Sequence, residues 1–388
     1  TAKLRLSYGK TGNQEIGQYR SQQFLGTGDV LLGGVRQTGM WRTSFGNSDL
    51  RWEYTNQLDL GLDLGLFNDR VDLSFDLYRK VTKDLLLDAP IPWSTGLGSV
   101  TQNIGSVENK GIEIGLNTRN IVGDKFTWST NFAFSANKNE ILQLGVNNDD
   151  IFPGPWFLGQ TNILRVGHAI GTLWGYKRLG TYSSDEVELA KTYNRLPGDI
   201  KWADLNNDGV IDGSDETMIG RSYPKFNLNI GNNFQFGKFD LAFDIRIVSG
   251  VNTVNATKHS VEDRQGIASS AKTVLNAWTP QNQNTHIAQI RHYNAGYDTH
   301  MDDWWVEDGS FIRGQNIVLG YSLPTQFGKV NLQKLRVYFS AQNFFLISKY
   351  SGYDPEALTG FGGQLTANME FFQYPRPRTF NVGLNVVF

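Results

Sequence analysis

The sequence predicts an all-β protein in which about ten antiparallel strands form a transmembrane β-barrel wall with long extracellular loops and short periplasmic turns. Three observations lead there. Apolar residues recur at every second position in segment after segment, the period of a strand with one greasy face. The connections between these segments alternate strictly between short and long. No stretch approaches the roughly 18 apolar residues of a membrane helix. A mean hydropathy of -0.36 still allows a barrel, because its strands show lipid only alternate side chains.

The strands follow in order. The first lies near Leu4 to Tyr8. In TNQLDLGLDLGLFNDRVDLSFDLYRK, Leu58, Leu60, Leu62, Leu64 and Leu66 alternate with Asp59, Gly61, Asp63 and Gly65. After a turn at Asn68-Asp69, Val71, Leu73, Phe75 and Leu77 alternate with Asp72, Ser74 and Asp76, which makes a hairpin with one apolar and one acidic face. Ile112, Ile114 and Leu116 repeat the pattern, as do Phe126, Trp128, Phe132 and Phe134. Phe226, Leu228, Ile230, Phe234 and Phe236 form another strand, followed across Gly237-Lys238 by Phe239, Leu241, Phe243, Ile245 and Ile247. Further strands fall near Ile317 to Leu323 and Leu335 to Phe339. The last, TFNVGLNVVF, places Phe380, Val382, Leu384, Val386 and Phe388 on one face.

Phe67–Arg70, Asn120–Lys125 and Gly237–Lys238 are tight, and Ser322–Gln333 is moderate. Lys10–Tyr54, Lys83–Asn109, Asn139–Lys225, Ser249–Ser310 and Ile347–Tyr374 are several times longer than the usual connection of about 4–6 residues. A β-sandwich has no reason to sort its loops this way, whereas a membrane barrel does. The parity makes LWGYKRLGTY part of an external hairpin inside 139–225 and puts Phe388 at the periplasmic side. SVEDRQGIASSAKTVLNAWTP reads as a helix within one long loop, halted by Pro280.

Composition excludes several classes of function. The 388 residues carry 42 glycines and 13% aromatics without a Pro/Ser-rich linker, so no domain boundary is marked. A net charge of -2 and a pI near 6.2 leave no basic footprint and argue against nucleic acid as a partner. The lack of cysteine removes disulfides, thiolate catalysis and Cys-ligated metals together. TAKLRLSYGK begins inside a strand pattern with no initiating Met or signal peptide, which points to a mature chain or a fragment.

The sharpest chemical motif is DLNNDGVIDGSD. Asp204, Asn206, Asp208, the Val210 carbonyl, Asp212 and Asp215 fall at positions 1, 3, 5, 7, 9 and 12 of an EF-hand-like calcium loop, with Gly209 at the position 6 turn. Calcium is a hard cation that needs such a cluster of oxygens, and the expected role is structural. The competing reading is an Asx/Gly turn without metal. Trp304, Trp305, Tyr350 and Tyr353 could stack on sugar faces, but as aromatics at strand ends they fit an interface girdle better. His286, His292 and His300 share a loop with Asp298 and Asp302 without the spacing of a zinc site. GTGDVLLGG near Gly26 lacks the strand-to-helix setting of a phosphate loop and reads as loop. Asp59, Asp63, Asp72, Asp76 and Glu113 could be mistaken for paired glycosidase carboxylates, yet a polar lumen wall explains them without catalysis.

Several long strings, in order, carry a family resemblance: NKGIEIGL, GDIKWADLNNDGVIDGSDETMIGRSYPKFNLNIGNNFQFGKFDLAFDIRIVSG, DDWWVEDGSFIRGQNIVLGYSLP and LRVYFSAQNFFLISKYSGYDPE. They resemble the C-terminal half of SusC/RagA-type TonB-dependent transporters of the Bacteroidetes outer membrane. The resemblance implies that residues 1–388 are the C-terminal part of the barrel, whose plug domain, TonB box and earlier strands lie upstream. It also implies active import of a glycan or peptide oligomer, no enzymatic activity, and a lumen of roughly 22 strands. The implied partners are a SusD-like surface lipoprotein, TonB through the upstream part, an oligosaccharide or peptide substrate, and outer-membrane lipid; transporter–lipoprotein pairs would dimerise. The terminal aromatic matches the signal read by barrel-assembly machinery. A passive porin, or a secreted β-protein that binds or hydrolyses glycans, are the alternatives.

Overall fold

The period-two segments become ten strands of one antiparallel sheet in a computed structural model that describes residues 1–14, 19–145, 147–153, 158–262, 269–291, 300–327, 330–359 and 368–388. The strands are β1 (Ala2–Asn13), β2 (Glu53–Leu66), β3 (Val71–Pro90), β4 (Ser99–Val122) and β5 (Phe126–Leu144). They continue with β6 (Phe226–Phe236), β7 (Phe239–Ser249), β8 (Phe311–Ser322), β9 (Lys334–Ser348) and β10 (Thr379–Val387). Each pairs with its neighbours in chain order, an up-and-down meander.

Register keeps the two faces chemically distinct. Leu6, Leu60 and Leu77 lie directly opposite one another, as do Leu241, Leu319, Phe339 and Val382. These side chains stay on the surface: Leu6 is 73% exposed, Leu60 41% and Val382 78%. A continuous apolar face of this extent is what a bilayer covers. On the other face, Arg5 donates to Asp63 (2.8 Å) and pairs with Asp76 (2.9 Å), so one guanidinium crosses β2 to join three strands. It passes over Gly61, where a β-carbon would meet the Arg5 Cζ and the Asp76 Oδ1 at 2.5 Å. Asp59 accepts from the Gln57 amide (2.7 Å), and Arg336 pairs with Asp240. Asp59, Asp63, Asp76 and Asp240 of this face are thus held by cations and amides as part of a polar wall.

The short turns gather at one rim, where aromatics on the apolar face form a girdle. Phe126, Phe236, Phe239 and Tyr321 lie opposite one another on four successive strands, with Trp128 stacked on Phe234 at 5.6 Å. The Trp128 Nε1 donates to the Asn232 Oδ1 (2.9 Å), as does the Thr130 hydroxyl (2.8 Å), so polar atoms facing outward here partner each other.

At the other rim the strands run further than their apolar periodicity. β3 and β4 remain paired out to Pro90 and Ser99, so the expected loop Lys83–Asn109 is mostly two-stranded ribbon. Beyond the membrane one face no longer has to be apolar: Leu85, Leu86 and Leu87 run consecutively, and the register shifts between Thr82 and Leu85 and again between Leu85 and Leu86 before the pairing goes on to Pro90. The expected loop at Gly26 is likewise a hairpin, Phe24–Leu32 paired with Val35–Ser44 and turned at Gly33-Gly34. The helix expected from Ser260 onward is two short pieces, an α-helix over Ala256–Val261 and a 3-10 turn over Lys272–Asn276. The turn ends before Pro280, and the segment between the pieces falls partly outside the described residues. LWGYKRLGTY supplies two short strands, Thr172–Gly175 and Arg178–Thr181, which pair outside the ten-stranded sheet as the parity requires.

The long connections build a layer with its own core. Asn252–Asn255 lies between Val306–Asp308 and, in parallel, Met369–Glu370, so residues from two long connections form one small sheet. Leu158, Leu173, Val254, Ala256, Met301 and Met369 pack together, fully buried or nearly so. The single-layer wall has little to bury against; hydrophobic burial is concentrated in the loop layer.

Candidate functional site

The loop layer is where the chain's buried chemistry lies. Arg178 and Asp302 are 2% and 0% exposed, 124 residues apart in sequence, and hold two long connections together. The Arg178 Nε donates to the Asp302 Oδ2 (2.7 Å), its Nη1 donates to the His286 carbonyl (2.9 Å), and the Trp202 Nε1 donates to the same carboxylate (3.0 Å). Burial pushes the Asp302 carboxyl up, while Arg178 and Trp202 pull it down. A second buried cluster ties the wall to the last loop. Arg313 of β8 donates to the Asp354 Oδ1 (2.6 Å) and lies 2.7 Å from the Glu356 Oε2, whose other oxygen accepts from Arg246 of β7 (2.7 Å). The Arg313 Nε and the Glu356 Oε2 are close but not aligned for a hydrogen bond, so their contact is ionic.

The aromatics expected in the girdle belong to this layer instead. Trp305 is fully buried with His259 edge-on at 4.9 Å, and buried Tyr350 donates to the Glu370 Oε2 (3.2 Å). Trp304 stacks on His286 at 4.9 Å and takes the Lys258 ammonium over its ring at 4.0 Å. Tyr353 remains exposed. Trp304 and Trp305 precede β8 and Tyr350 follows β9, and all three turn inward with their loops, so the membrane interface is not their environment. Of the histidine group, Asp302 is committed to Arg178, and His300 packs edge-on against Trp202 at 5.6 Å. His292 and Asp298 lie outside the described residues.

The calcium-loop candidate folds between the short strands Ile200–Trp202 and Thr217–Arg221. Asp204 accepts from the N–H of Gly209 (2.9 Å) and Asp208 (3.2 Å) and from the Tyr193 hydroxyl (3.1 Å). Buried Asp215 accepts from the N–H of Leu205 (2.7 Å) and Asp212 (3.1 Å). Asp208 accepts from the Asn206 amide (2.8 Å), and Asp212 accepts from the Ser214 N–H (2.8 Å). The Val210 side chain is exposed, so its main chain is what it offers the loop. Gly209 turns at φ +82°, the left-handed conformation that the position 6 residue requires. Burial raises the Asp204 carboxyl, but the donors on it outweigh this and leave it below the ordinary value; the Ser214 hydroxyl and N–H lower Asp212. The loop therefore has the backbone form of a cation site and ionised side chains. Among the described residues, however, no three His, Cys, Asp or Glu side chains come together as a metal-holding group.

A meander with a lipid-covered outer face, a charged inner face, short turns at one rim and a folded loop layer at the other defines an outer-membrane β-barrel protein. Residues 1–252 match the family described as TonB dependent receptor-like, beta-barrel, and the chain belongs to that family. TonB-dependent receptor P3 of Formosa agariphila is 38% identical over all of this chain and 39% of its own length. TonB-dependent receptor SusC of Bacteroides thetaiotaomicron is 30% identical over all of this chain and 37% of its own. The structure of the RagAB peptide transporter superposes with a TM-score of 0.81 at 26% identity, over 100% of this chain and 41% of that one. The chain thus spans about two-fifths of the relatives it matches.

Proposed function

We propose that this chain is the C-terminal wall and external loop layer of a transporter that actively imports a glycan or peptide oligomer across the outer membrane. The observation that carries the reading is the full-length superposition on a RagAB chain, which includes the loop layer as well as the strands. TonB would supply energy through the part of the protein outside this chain. A SusD-like surface lipoprotein would close over the loop layer, and two such pairs would dimerise. Collapse of the proton-motive force should abolish uptake of labelled oligomer by cells that carry the whole transporter. Undiminished uptake would point to a passive pore.

The calcium reading rests on the ligand spacing, the ionised carboxylates and the turn at Gly209. Asp204, Asn206, Asp208, Val210, Asp212 and Asp215 would hold the ion, which would draw in carboxylates that N–H groups otherwise occupy. Its role would be to order the segment 139–225, with an affinity in the extracellular range of about 10⁻⁴ to 10⁻³ M. Because the folded loop alone would bind, calcium should slow proteolysis within 204–215 relative to chelator, and Asp208→Ala should remove the difference. Identical cleavage of the unmodified protein with and without calcium would reject the site.

A further inference from the structure

On the outward face, at the end of the wall away from the girdle, three cations lie directly opposite one another on adjacent strands: Arg79 of β3, Lys110 of β4 and Lys138 of β5. Like charges placed directly across a sheet repel, so the row needs counter-charge. Part of it is built in. Glu108 takes Arg79 at 2.6 Å and Lys110 at 2.7 Å, and Glu140 takes Lys138 at 2.8 Å. These carboxylates lie opposite each other in the next row of the same face and are more covered than the cations: the Glu108 and Glu140 side chains are 7% and 28% exposed, whereas those of Arg79, Lys110 and Lys138 are 63%, 48% and 66% exposed. Three cations over two carboxylates leave one positive charge in excess, and the surface presented outward is cationic. Lys10 on β1 and Lys83 on β3 extend it, Lys10 lying over the Tyr54 ring at 3.9 Å.

The depth of the row indicates what it meets. Lys138 follows Phe126 of the girdle by twelve residues on the same strand. At about 3.4 Å per residue and a tilt of about 40°, that is about 30 Å along the membrane normal, the thickness of the hydrocarbon core. The girdle marks one interface, so the cationic row stands at the other, where Arg79, Lys110 and Lys138 succeed the outward row of Leu77, Ile112 and Ala136. We propose that Arg79, Lys110 and Lys138 form a seat for phosphate-bearing lipid headgroups of the outer leaflet. The seat is separate from the lumen: Tyr78, Asn109, Asn137 and Asn139, the neighbours on these strands, face inward and bond among themselves. Its ligand is a membrane component recruited by charge, independent of whatever the pore carries.

The test uses the whole transporter in nanodiscs. Leu58 faces outward beside Arg79 and is half-exposed. A fluorophore on Leu58→Cys should be quenched several-fold more by brominated phosphatidylglycerol than by brominated phosphatidylcholine at equal mole fraction. The preference should shrink in high salt and approach unity in the R79Q/K110Q/K138Q variant. Equal quenching by the two lipids in the unmodified seat would overturn the proposal, and that measurement needs no folded variant. A preference retained in full by the triple variant would overturn it too.

Discussion

Arg178→Met should open the external layer at a cost of about 3–5 kcal/mol, because it leaves the Asp302 charge buried with its cation removed. The remaining donors on that carboxylate, the Trp202 Nε1 and the Trp304 N–H, are neutral. The same change removes the bond to the His286 carbonyl and a guanidinium lying 4.8 Å over the Trp305 ring. Hydrogen exchange should therefore rise together in 172–202 and 285–305, which share the core of Tyr176, Ile200, Trp202 and Ala288. The wall strands should stay protected, since their ladders do not depend on this contact. In the double variant R178M/D302L neither charge is left unpaired, and most of the loss should be recovered. Equal damage from single and double variants would show that shape, and not the buried charge, governs the site.

Arg313→Leu should have an effect of similar size on a different loop. It strips Asp354 of its partner and leaves Glu356 to Arg246 and the more distant Arg376 at 3.6 Å. Asp354 is buried and also accepts from the N–H of Glu356 (2.9 Å), so an unpaired charge there disrupts the start of the 349–378 connection. Proteolysis within that connection should quicken by orders of magnitude if about 3–5 kcal/mol is lost locally. Exchange in 158–202 should be unchanged, which separates this variant from Arg178→Met. Unaltered cleavage would mean that the loop is held without this cluster, by contacts such as the Met369–Glu370 pairing and the Ser351–Glu307 bonds.

The two halves of the structure differ in how far they can be read from sequence. The wall is legible because lipid enforces one rule on every second residue. Leu58 to Leu66 and Phe239 to Ile247 obey it, and the turns at Asn68 and Gly237 carry φ values of +55° and +56°. The loop layer obeys no such rule. Its short strands are two to five residues long and pair with segments distant in sequence, as Arg178 does with Trp202 and Val254 with Met369. Nothing local in DDWW tells that Trp305 is buried and Asp302 is ion-paired, because Arg178 and Lys258 arrive from elsewhere in the chain. The outward cations Arg79, Lys110 and Lys138 could have been found by extending the alternation past the last leucine and isoleucine. Their alignment across three strands needed the register. In the loop at Asp204 the spacing was legible and the hydrogen bonds were not, since N–H groups compete for the same oxygens as a cation.

The topology to be tested is a membrane wall of alternating segments with every long connection outside the cell. Single cysteines at exposed Asn147 and Gln281 on the loop side, and at exposed Asp124 on the turn side, test it most directly. A membrane-impermeant maleimide added to intact cells that carry the whole transporter should modify the first two and leave Asp124→Cys unmodified until the outer membrane is permeabilised. Modification of Asp124→Cys in intact cells at the rate of the other two would rule this topology out.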